Sequence, residues 1–403
     1  MATESNPSVI LVSYYFSSQY ETGGIRVQKF AKYLPRFGVE PIIVTRKVKD
    51  SFPYQGRCIA LRTLPIHWPL HLESFTWMPG LLWACLKLIK NEKVKCLVFS
   101  CGPFPVAGVG VILKKWFDVK LILDYRDYWT LSPQLPKMSA FRRFVNRLSK
   151  PVEAWILRFA DRLILVRRGM ENDYVHHFPF LNGKTEIVYN GFDEDDIPTG
   201  VEDGFKPFGK FTVLYLGNLH LDLNRNYPAL FLESLQKMKV DKRLDESNFQ
   251  VFIVGETFEA FNGKVEALGL AGMVRTLGRL PHSEAVDYLS HSHLLLFLNE
   301  TEAIFPSKIF EYLATGKPML ALIRSGELMD LIQEFSPHPT IVTSYHIGEI
   351  VQGIERCLRR EVCPPERRDV TERFRSKFNR TELTRQLARI LTEVSRTGED
   401  GSS

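Results

Sequence analysis

The sequence predicts an α/β protein with two domains, each built on a doubly wound parallel sheet. Short apolar runs that predict buried strands alternate with helical segments along the chain, as expected for parallel sheets. The length of 403 residues exceeds one ordinary hydrophobic core. It fits two domains of roughly 200 residues each. A polar segment that contains glycine and proline, residues 198–210, is predicted to link them.

The composition is typical of a globular protein, with 45% hydrophobic and 24% charged residues. The most apolar stretch, residues 77–89, is too short to span a bilayer. The polar first eight residues do not resemble a signal peptide. The six cysteines show neither a Cys-x-x-Cys pair nor a metal-ligand spacing. These features predict a cytoplasmic protein with reduced thiols.

The net charge of +6 is concentrated in one segment. Residues 114–168 contain thirteen Lys or Arg and five Asp or Glu, which is an excess of eight positive charges. Such a segment suits an anionic partner, namely membrane phospholipid, nucleic acid or a phosphate-bearing acceptor. A solvated helix face without a partner is the alternative.

The first domain begins with a predicted strand at residues 9–13, a glycine pair, a helix over about 26–37 and a second strand at 41–45. Gly23 and Gly24 allow the backbone to approach a ligand at the start of that helix. The segment lacks the full Gly-x-Gly-x-x-Gly pattern, so by itself it does not identify a nucleotide site.

Residues 51–92 carry four prolines among aromatic side chains and are predicted to be irregular. Their aromatic residues fit core packing, and an acceptor-binding or membrane-contacting segment is the alternative. Further strands of the first domain are predicted at residues 95–100, 120–124, 161–166 and 186–191.

A charged cluster follows the strand at residues 120–124. Arg126 and Asp127 lie at the carboxyl end of this strand, where ligands bind in open α/β sheets. A structural Asp–Arg pair is the alternative interpretation. The second domain then begins with a strand at residues 211–217.

The segment 305–318 organises the second domain. Its apolar residues recur at helical spacing. Either Pro306 or Ser307 can begin the helix, and Gly316 followed by Pro318 can end it. Lys308 and Glu311 lie one turn apart on the face that the apolar residues leave free. The N–H groups of a helix start and a lysine form a phosphate site, and a glutamate can accept hydrogen bonds from sugar hydroxyls. A plain amphipathic helix with a surface Lys–Glu pair is the alternative.

The run Pro-Ser-Lys-Ile-Phe-Glu-Tyr-Leu-Ala-Thr-Gly-Lys-Pro in this segment resembles the donor-binding helix of retaining glycosyltransferases with the GT-B architecture. The closer resemblance is to bacterial group 1, family 4 enzymes that build surface polysaccharides and glycolipids. Many of these carry two glutamates eight positions apart. Glu311 matches the second, whereas Ala303 occupies the first position, with Glu302 beside it. The resemblance implies that Lys308 and Glu311 are catalytic, with Glu311 on the donor ribose.

Two motifs of the first domain resemble the same family. Residues 124–129 are similar to its Asp-x-Arg-Asp-x-Trp signature, although many members carry a histidine where Arg126 stands. The resemblance implies that Arg126 and Asp127 are catalytic and that Arg126 stabilises the leaving diphosphate. The family's first glycine-rich loop, beside the transferred sugar and the acceptor, would contain Gly23, Gly24 and Arg26.

The resemblance also implies a set of donor-binding residues in the second domain. A glycine turn and a basic residue would contact the diphosphate, and further glycines would line the nucleotide pocket and contact the base. The helix start at Lys308 would bind phosphate. In chain order these substrate-binding residues are Gly217, Asn218, Arg225, Gly255, Gly278, Leu280, Ser307 and Ile309.

The resemblance covers nearly the whole chain and implies the GT-B architecture, two Rossmann-like domains facing a cleft. Residues 1–197 would form an acceptor-side domain that a C-terminal helix at about 376–397 completes. Residues 211–375 would form the domain that binds the nucleotide sugar.

The implied function is retaining transfer of a sugar from a nucleotide diphosphate sugar to a saccharide or lipid-linked acceptor, with no cofactor or metal and no nucleic acid partner. The protein would be cytoplasmic and peripheral at the inner face of the membrane. The acidic run at residues 193–196 lies in a polar linker region and not at a strand end, so we predict no metal site there. Two alternatives stay open: a nucleotide-sugar 2-epimerase of the same fold, and a non-catalytic binding module, which Ala303 favours.

Overall fold

The computed structural model describes residues 7–16, 22–47, 53–64, 73–92, 94–197, 209–219, 227–301, 305–359 and 369–396. These residues form two compact units, one within Met1–Asn190 and Arg380–Ser403 and the other within Gly191–Asn379. Each unit contains one parallel sheet covered by helices, so the prediction of two parallel-sheet α/β domains is confirmed. Most of the predicted linker lies outside the described residues.

The first sheet has seven strands in the described ranges. They are β1 (Ser8–Ser13), β2 (Glu40–Arg46), β3 (Cys58–Leu61), β4 (Cys96–Cys101), β5 (Lys120–Tyr125), β6 (Arg162–Leu165) and β7 (Thr185–Ile187). Neighbouring strands run parallel in the order β3-β2-β1-β4-β5-β6-β7. The order reverses between β1 and β4, which is the topological switch point where ligands bind in such sheets.

Six α-helices of the described ranges cover the first sheet. They are α1 (Thr22–Tyr33), α2 (Glu73–Glu92), α3 (Ala107–Trp116), α4 (Ala140–Phe159), α5 (Arg168–His177) and, at the end of the described chain, α13 (Arg380–Arg396). Successive strand residues point to opposite faces of the sheet. Leu11 of β1 accordingly packs in a core with α1 and α13, whereas Ile10 packs in a core with α2, α3, α4 and α5.

Two segments of the first unit differ from the sequence predictions. Helix α1 begins at Thr22, so Gly23 and Gly24 lie in its first turn and not in a loop before it. Residues 51–92 are not irregular, because they contain β3 and the 20-residue helix α2. Burial of one face of α2 outweighs the hydrogen bond lost at its internal proline, Pro79. Of its aromatic residues, only Trp77 is fully buried.

The second sheet has six strands in the described ranges. They are β8 (Phe211–Leu216), β9 (Phe249–Val254), β10 (Val274–Gly278), β11 (Leu294–Asn299), β12 (Met319–Ile323) and β13 (Pro339–Val342). Their parallel order, β10-β9-β8-β11-β12-β13, repeats the pattern of the first sheet and places the switch point between β8 and β11. The helices are α6 (Tyr227–Val240), α7 (Glu259–Ala267), α8 (His282–His291), α9 (Lys308–Thr315), α10 (Glu327–Phe335), α11 (Ile347–Leu358) and α12 (Val370–Phe378).

The C-terminal helical region is divided at Asn379, whose backbone is extended. On its N-terminal side, Phe374 and Phe378 of α12 pack with Phe310 of α9 and Phe335 of α10. On its C-terminal side, α13 packs on the first sheet. None of the described helices is long and apolar enough to cross a membrane.

Candidate functional site

The carboxyl end of β1 meets the start of α1 at the two glycines. A Cβ atom on Gly24 would lie 2.4 Å from the carbonyl oxygen of Tyr15, and one on Gly23 would lie 2.8 Å from the Tyr15 ring. Both distances are shorter than van der Waals contact. The first turn of α1 therefore reaches Tyr15 only because these two residues lack side chains. A ligand contact at the same glycines stays a prediction.

Arg26 and Asp124 form a buried ion pair behind this edge. Arg26 Nε donates to the two carboxylate oxygens at 3.1 and 3.2 Å, and Nη2 donates to Oδ1 at 3.0 Å. The guanidinium also donates to the carbonyl oxygens of Val188 at 2.8 Å and Tyr189 at 2.7 Å. Every nitrogen of Arg26 thus has a protein acceptor, and the side chain is only 2% exposed. The geometry assigns Arg26 a structural role, so we remove it from the proposed substrate contacts.

Arg126 follows β5 and is not the partner that Asp124 uses. Its Nη2 lies 3.3 Å from the position that a Cβ atom on Gly102 would occupy, so the glycine leaves room for it. Its Nε is buried and has no hydrogen-bond partner in the described part of the chain. Asp127, the next residue, is exposed. Since a buried guanidinium N–H without an acceptor is costly, Arg126 is suited to bind an anion.

Side chains of α4 fix the position of the loop after Asp127 through hydrogen bonds. The buried carboxylate of Glu153 accepts hydrogen bonds from the Thr130 N–H at 3.2 Å, the Thr130 hydroxyl and the Tyr174 hydroxyl at 2.8 Å. Asn146 Nδ2 donates to the Thr130 carbonyl oxygen at 2.9 Å. Burial raises the pKa of the Glu153 carboxyl. Our sequence reasoning missed this anchor, for which the available signal was a single acid within a basic helix.

Further side chains along this edge form hydrogen bonds around Tyr128. Arg167 Nη2 donates to the Tyr128 hydroxyl at 3.0 Å, and that hydroxyl donates to Asp173. Burial raises the pKa of the Tyr128 hydroxyl, so the phenol stays protonated. Burial also raises the pKa of the Cys101 thiol well above its usual range, which makes it a poor nucleophile.

In the second unit, side chains of α9 form hydrogen bonds with the end of β8. Strand β8 pairs with β11 only at Val213 and Leu214, so the backbone of Leu216 needs other partners. Lys308 Nζ donates to the Leu216 carbonyl oxygen at 2.7 Å, and the Leu216 N–H donates to the Tyr312 hydroxyl at 2.7 Å. The ammonium lies 3.6 Å above the centre of the Tyr215 ring. The structure thus fixes the Lys308 charge at the switch point of the second sheet.

Gly217 lies against this ammonium, and backbone contacts lead from Gly217 to two further glycine turns. A Cβ atom on Gly217, whose φ is +123°, would lie 3.1 Å from Lys308 Nζ. A Cβ atom on Gly255 would lie 2.4 Å from the Gly217 carbonyl oxygen, and the Gly255 N–H donates to the Gly278 carbonyl oxygen at 2.8 Å. The carboxyl ends of β8, β9 and β10 therefore converge, and the contact between Gly217 and Gly255 leaves no room for a side chain on Gly255. The exposed Asn218 stabilises the same edge, since its side-chain oxygen accepts a hydrogen bond from a backbone N–H at 3.0 Å.

The start of α9 is ordered by its own backbone. Ser307 is exposed and makes no side-chain cap, while its carbonyl oxygen accepts from the Phe310 N–H at 3.1 Å. The Ile309 side chain is fully buried, and its N–H donates to the Pro306 carbonyl oxygen at 3.2 Å. Ile309 is therefore a core residue, and we remove it from the proposed substrate contacts. Glu311 is half-buried one turn further along.

The structure brings together Lys308, Gly217, Gly255, Gly278 and Asn218 at one sheet edge. Leu280 follows this group as a half-buried residue. Arg225, Glu302 and Ala303 lie outside the described residues.

The acidic run predicted not to bind metal forms a short 3-10 helix at Glu194–Asp196, with Asp193 capping the N–H of Asp195 at 3.1 Å. Within the described ranges, no three His, Cys, Asp or Glu side chains are grouped so that they could hold a metal ion.

Two family models match the sequence in tandem. The model described as Glycosyltransferase Family 4 matches residues 23–196, and the model described as Glycosyl transferases group 1 matches residues 201–377. No curated protein matches the sequence significantly.

Solved structures of glycosyltransferases share the fold over nearly the whole chain. Sucrose-phosphate synthase from Thermosynechococcus elongatus is similar with a TM-score of 0.72 at 17% identity, covering 97% of this chain and 100% of that one. Anabaena HepE in complex with UDP and glucose has a TM-score of 0.68 at 14% identity, covering 96% and 100%. WaaG, a glycosyltransferase involved in lipopolysaccharide biosynthesis, has a TM-score of 0.65 at 15% identity, covering 95% and 99%.

Proposed function

We infer the reaction from one premise: the chain belongs to the glycosyltransferases of the group 1, family 4 type, with the GT-B architecture. Sugar transfer is therefore its general activity. We propose that it transfers a sugar from a nucleotide diphosphate sugar to a saccharide or lipid-linked acceptor with retention of anomeric configuration. No metal takes part in this proposal.

One observation carries the donor part of the proposal, namely the Lys308 ammonium among the glycine turns at the carboxyl end of the second sheet. A diphosphate is the donor group that most needs a cation, a helix N-terminus and a backbone it can approach closely. Glycines 217 and 255 supply such a backbone, and α9 supplies the helix start. The structure of HepE with UDP and glucose, which shares this fold, supports the same class of donor.

The remaining donor contacts follow from the same edge. We assign Glu311 to the ribose hydroxyls, because a carboxylate one turn into α9 can accept two hydrogen bonds from a diol. Asn218 and Gly255 are assigned to the nucleotide, and the turn from Gly278 to Leu280 to the base. Ser307 is proposed to bind the phosphate, and Arg225 is proposed as a second diphosphate contact.

Arg126 and Asp127 are proposed as the contribution of the first unit to the transfer step. The bond from the anomeric carbon to the diphosphate breaks while an acceptor hydroxyl oxygen bonds to the same face of that carbon and passes its proton to the leaving diphosphate oxygen. Negative charge builds up on the leaving diphosphate, and a guanidinium with an unsatisfied buried N–H suits such charge. The protein then acts by positioning and by charge compensation.

A donor screen tests this function. The full chain is heated with UDP-, GDP- and dTDP-sugars, and the donor that binds raises the unfolding temperature as its concentration exceeds Kd. That donor is then incubated with and without candidate acceptors while free nucleoside diphosphate is measured. No stabilisation by any of these sugars, together with no release of diphosphate, would contradict the proposal. Formation of an epimer without acceptor would identify the 2-epimerase alternative.

The acceptor and the location complete the proposal. The basic segment 114–168 supports an acceptor that is anionic or lies at an anionic surface. We propose cytoplasmic action at the inner face of a membrane.

A further inference from the structure

Helix α4 exposes a continuous apolar stripe. Its five members are between 39% and 59% exposed, although each is large and hydrophobic. At 3.6 residues per turn, they fall within an arc of about 80° along the whole helix. Contiguous apolar surface of this kind marks a binding site for another molecule and not an ordinary solvated face. The α4 stripe consists of Phe141, Phe144, Leu148, Val152 and Trp155.

The opposite side of α4 is the one that packs against the protein. Ile156 and Leu157 are buried in the core below the first sheet, and Glu153 and Asn146 bind Thr130. The orientation of α4 is therefore fixed by its inner face. The stripe is exposed because the helix has two apolar faces and the protein buries only one.

Basic side chains occupy other parts of the exposed surface of α4. The single acid of α4, Glu153, is fully buried, so the exposed surface of the helix carries positive charge alone. No salt bridge joins these basic residues to a carboxylate in the part of the chain that the structure describes. The basic residues of α4 are Arg142, Arg143, Arg147, Lys150 and Arg158.

The end of α3 extends this surface. Lys115 Nζ lies 5.5 Å from the centre of the Trp155 ring and 4.5 Å from that of Phe159. The neighbouring Trp116 is 61% exposed. An exposed tryptophan beside lysine is typical of a segment that lies at a membrane interface. By contrast, Lys114 is paired with Asp161 and adds no uncompensated charge.

We propose that the α4 stripe, its basic residues and Trp116 dock on the surface of an anionic lipid bilayer. The apolar side chains would enter the headgroup region while the arginines and lysines contact lipid phosphates. A nucleic acid would use the charges but leave the apolar stripe uncovered. A second copy would cover the stripe but bring two sets of like charges together. The lipid surface accounts for both features.

Docking would also act on the loop that carries the proposed catalytic residues. Thr130, three residues after Asp127, is bound by Glu153 and Asn146 of α4. The helix that contacts lipid is thus the helix that positions this loop. The inference deepens the proposed function, on which it rests for the acceptor, by naming a membrane-borne acceptor over a free saccharide.

Vesicle flotation of the full chain without any donor tests the surface. Two vesicle types are used, pure phosphatidylcholine and phosphatidylcholine with phosphatidylglycerol. We expect binding to the second type that is weakened by salt. Replacing Arg142 and Arg147 with glutamine should weaken it roughly 25-fold, since each basic residue near an anionic surface contributes about a five-fold factor. The matched control replaces two exposed arginines at the end of α11, Arg356→Gln within the helix and Arg359→Gln just after it, and should bind as the unaltered chain does.

A double variant, Phe144→Ser with Leu148→Ser, tests the stripe. The control is a second double variant, Val240→Ser with Phe258→Ser, which removes exposed apolar side chains of the second unit. We expect only the first pair to lower vesicle binding, by at least about ten-fold. Equal vesicle binding by the two double variants, or no preference of the unaltered chain for anionic vesicles, would overturn the proposal. A dimer in light scattering that the stripe variant abolishes would assign the stripe to a second copy instead. Because no donor is present, failure here leaves the proposed sugar transfer untouched, which the donor screen tests separately.

Discussion

Replacing Lys308 with methionine separates the two roles that its position gives it. Nζ donates to the Leu216 carbonyl oxygen at 2.7 Å and lies 3.6 Å above the Tyr215 ring. Methionine keeps a long unbranched chain but removes the donor and the charge. A hydrogen bond from a charged group contributes about 1.5–3 kcal/mol. Water can partly replace it at a half-buried site, so we expect a loss of about 1–2 kcal/mol in unfolding free energy.

Donor binding should change more than stability does. If the ammonium also contacts the diphosphate, the variant loses a second charge-assisted interaction of about 1.5–3 kcal/mol. Such a loss raises the donor Kd by roughly 10- to 150-fold. Isothermal titration with the donor found in the screen measures this ratio, and urea unfolding measures stability.

Tyr312→Phe is the matched control. Its hydroxyl accepts the Leu216 N–H at 2.7 Å, so the variant breaks the other half of the same attachment of β8 to α9. Tyr312 is fully buried and is not proposed to touch the donor. Leaving the N–H without a partner costs about 1–3 kcal/mol. Donor affinity should survive in this variant. If Lys308→Met is destabilised as Tyr312→Phe is and binds donor as tightly as the unaltered chain, Lys308 is purely structural.

Three further changes test the first unit by urea unfolding. Asp124→Asn leaves Arg26 buried without its anion and should lower the unfolding free energy by about 3–5 kcal/mol. A loss below about 1 kcal/mol would contradict a stabilising role for the buried Arg26–Asp124 ion pair. Gly24→Ala should destabilise by about 2 kcal/mol or more through its contact with backbone, whereas Gly108→Ala, with nothing within 4 Å of its Cβ, should stabilise α3 slightly. Because burial raises the folded-state pKa of Glu153, its stabilising contribution is full at low pH and is lost as pH rises through that pKa. Glu153→Gln should therefore gain stability relative to the unaltered chain as the pH rises above the ordinary glutamate pKa of about 4.3, and a pH-independent difference would contradict this.

The elements that local pattern controls were predictable. Strands β1, β5, β8 and β12 are short apolar runs with no competing interpretation, and their alternation with helices predicted two parallel sheets. The α9 helix was predictable as well, because its apolar spacing and its terminating Gly316 are local features, and the glycine is indeed left-handed with φ of 67°.

What the sequence could not predict depends on contacts between distant residues. The nearest arginine to Asp124 in the chain is Arg126, yet its actual partner, Arg26, lies 98 residues away. Local pattern offers the first pairing and gives no information on the second. For the same reason Arg26 looked like a ligand contact beside a glycine pair, although its nitrogens are all bound within the protein.

The glycines illustrate the same limit. Gly23 and Gly24 were predicted to precede a helix that begins at about residue 26, because paired glycines allow a backbone to approach a ligand. They lie inside α1, since what they provide is room for Tyr15 and not flexibility. In α2, the internal Pro79 predicted irregular structure, but packing of a long apolar face decided the outcome.

The spacing of Lys308 and Tyr312 follows from where β8 loses its neighbour. Pairing with β11 ends at Leu214, so the N–H and the carbonyl oxygen of Leu216 have no partner on that strand. Residues four apart on a helix lie on one face, and here one is a donor and the other an acceptor. Together they satisfy both groups of Leu216. The hydrogen bond from Lys308 to the end of β8 also holds the ammonium against Gly217. The group that we propose to contact phosphate is therefore positioned by an interaction that stabilises the fold.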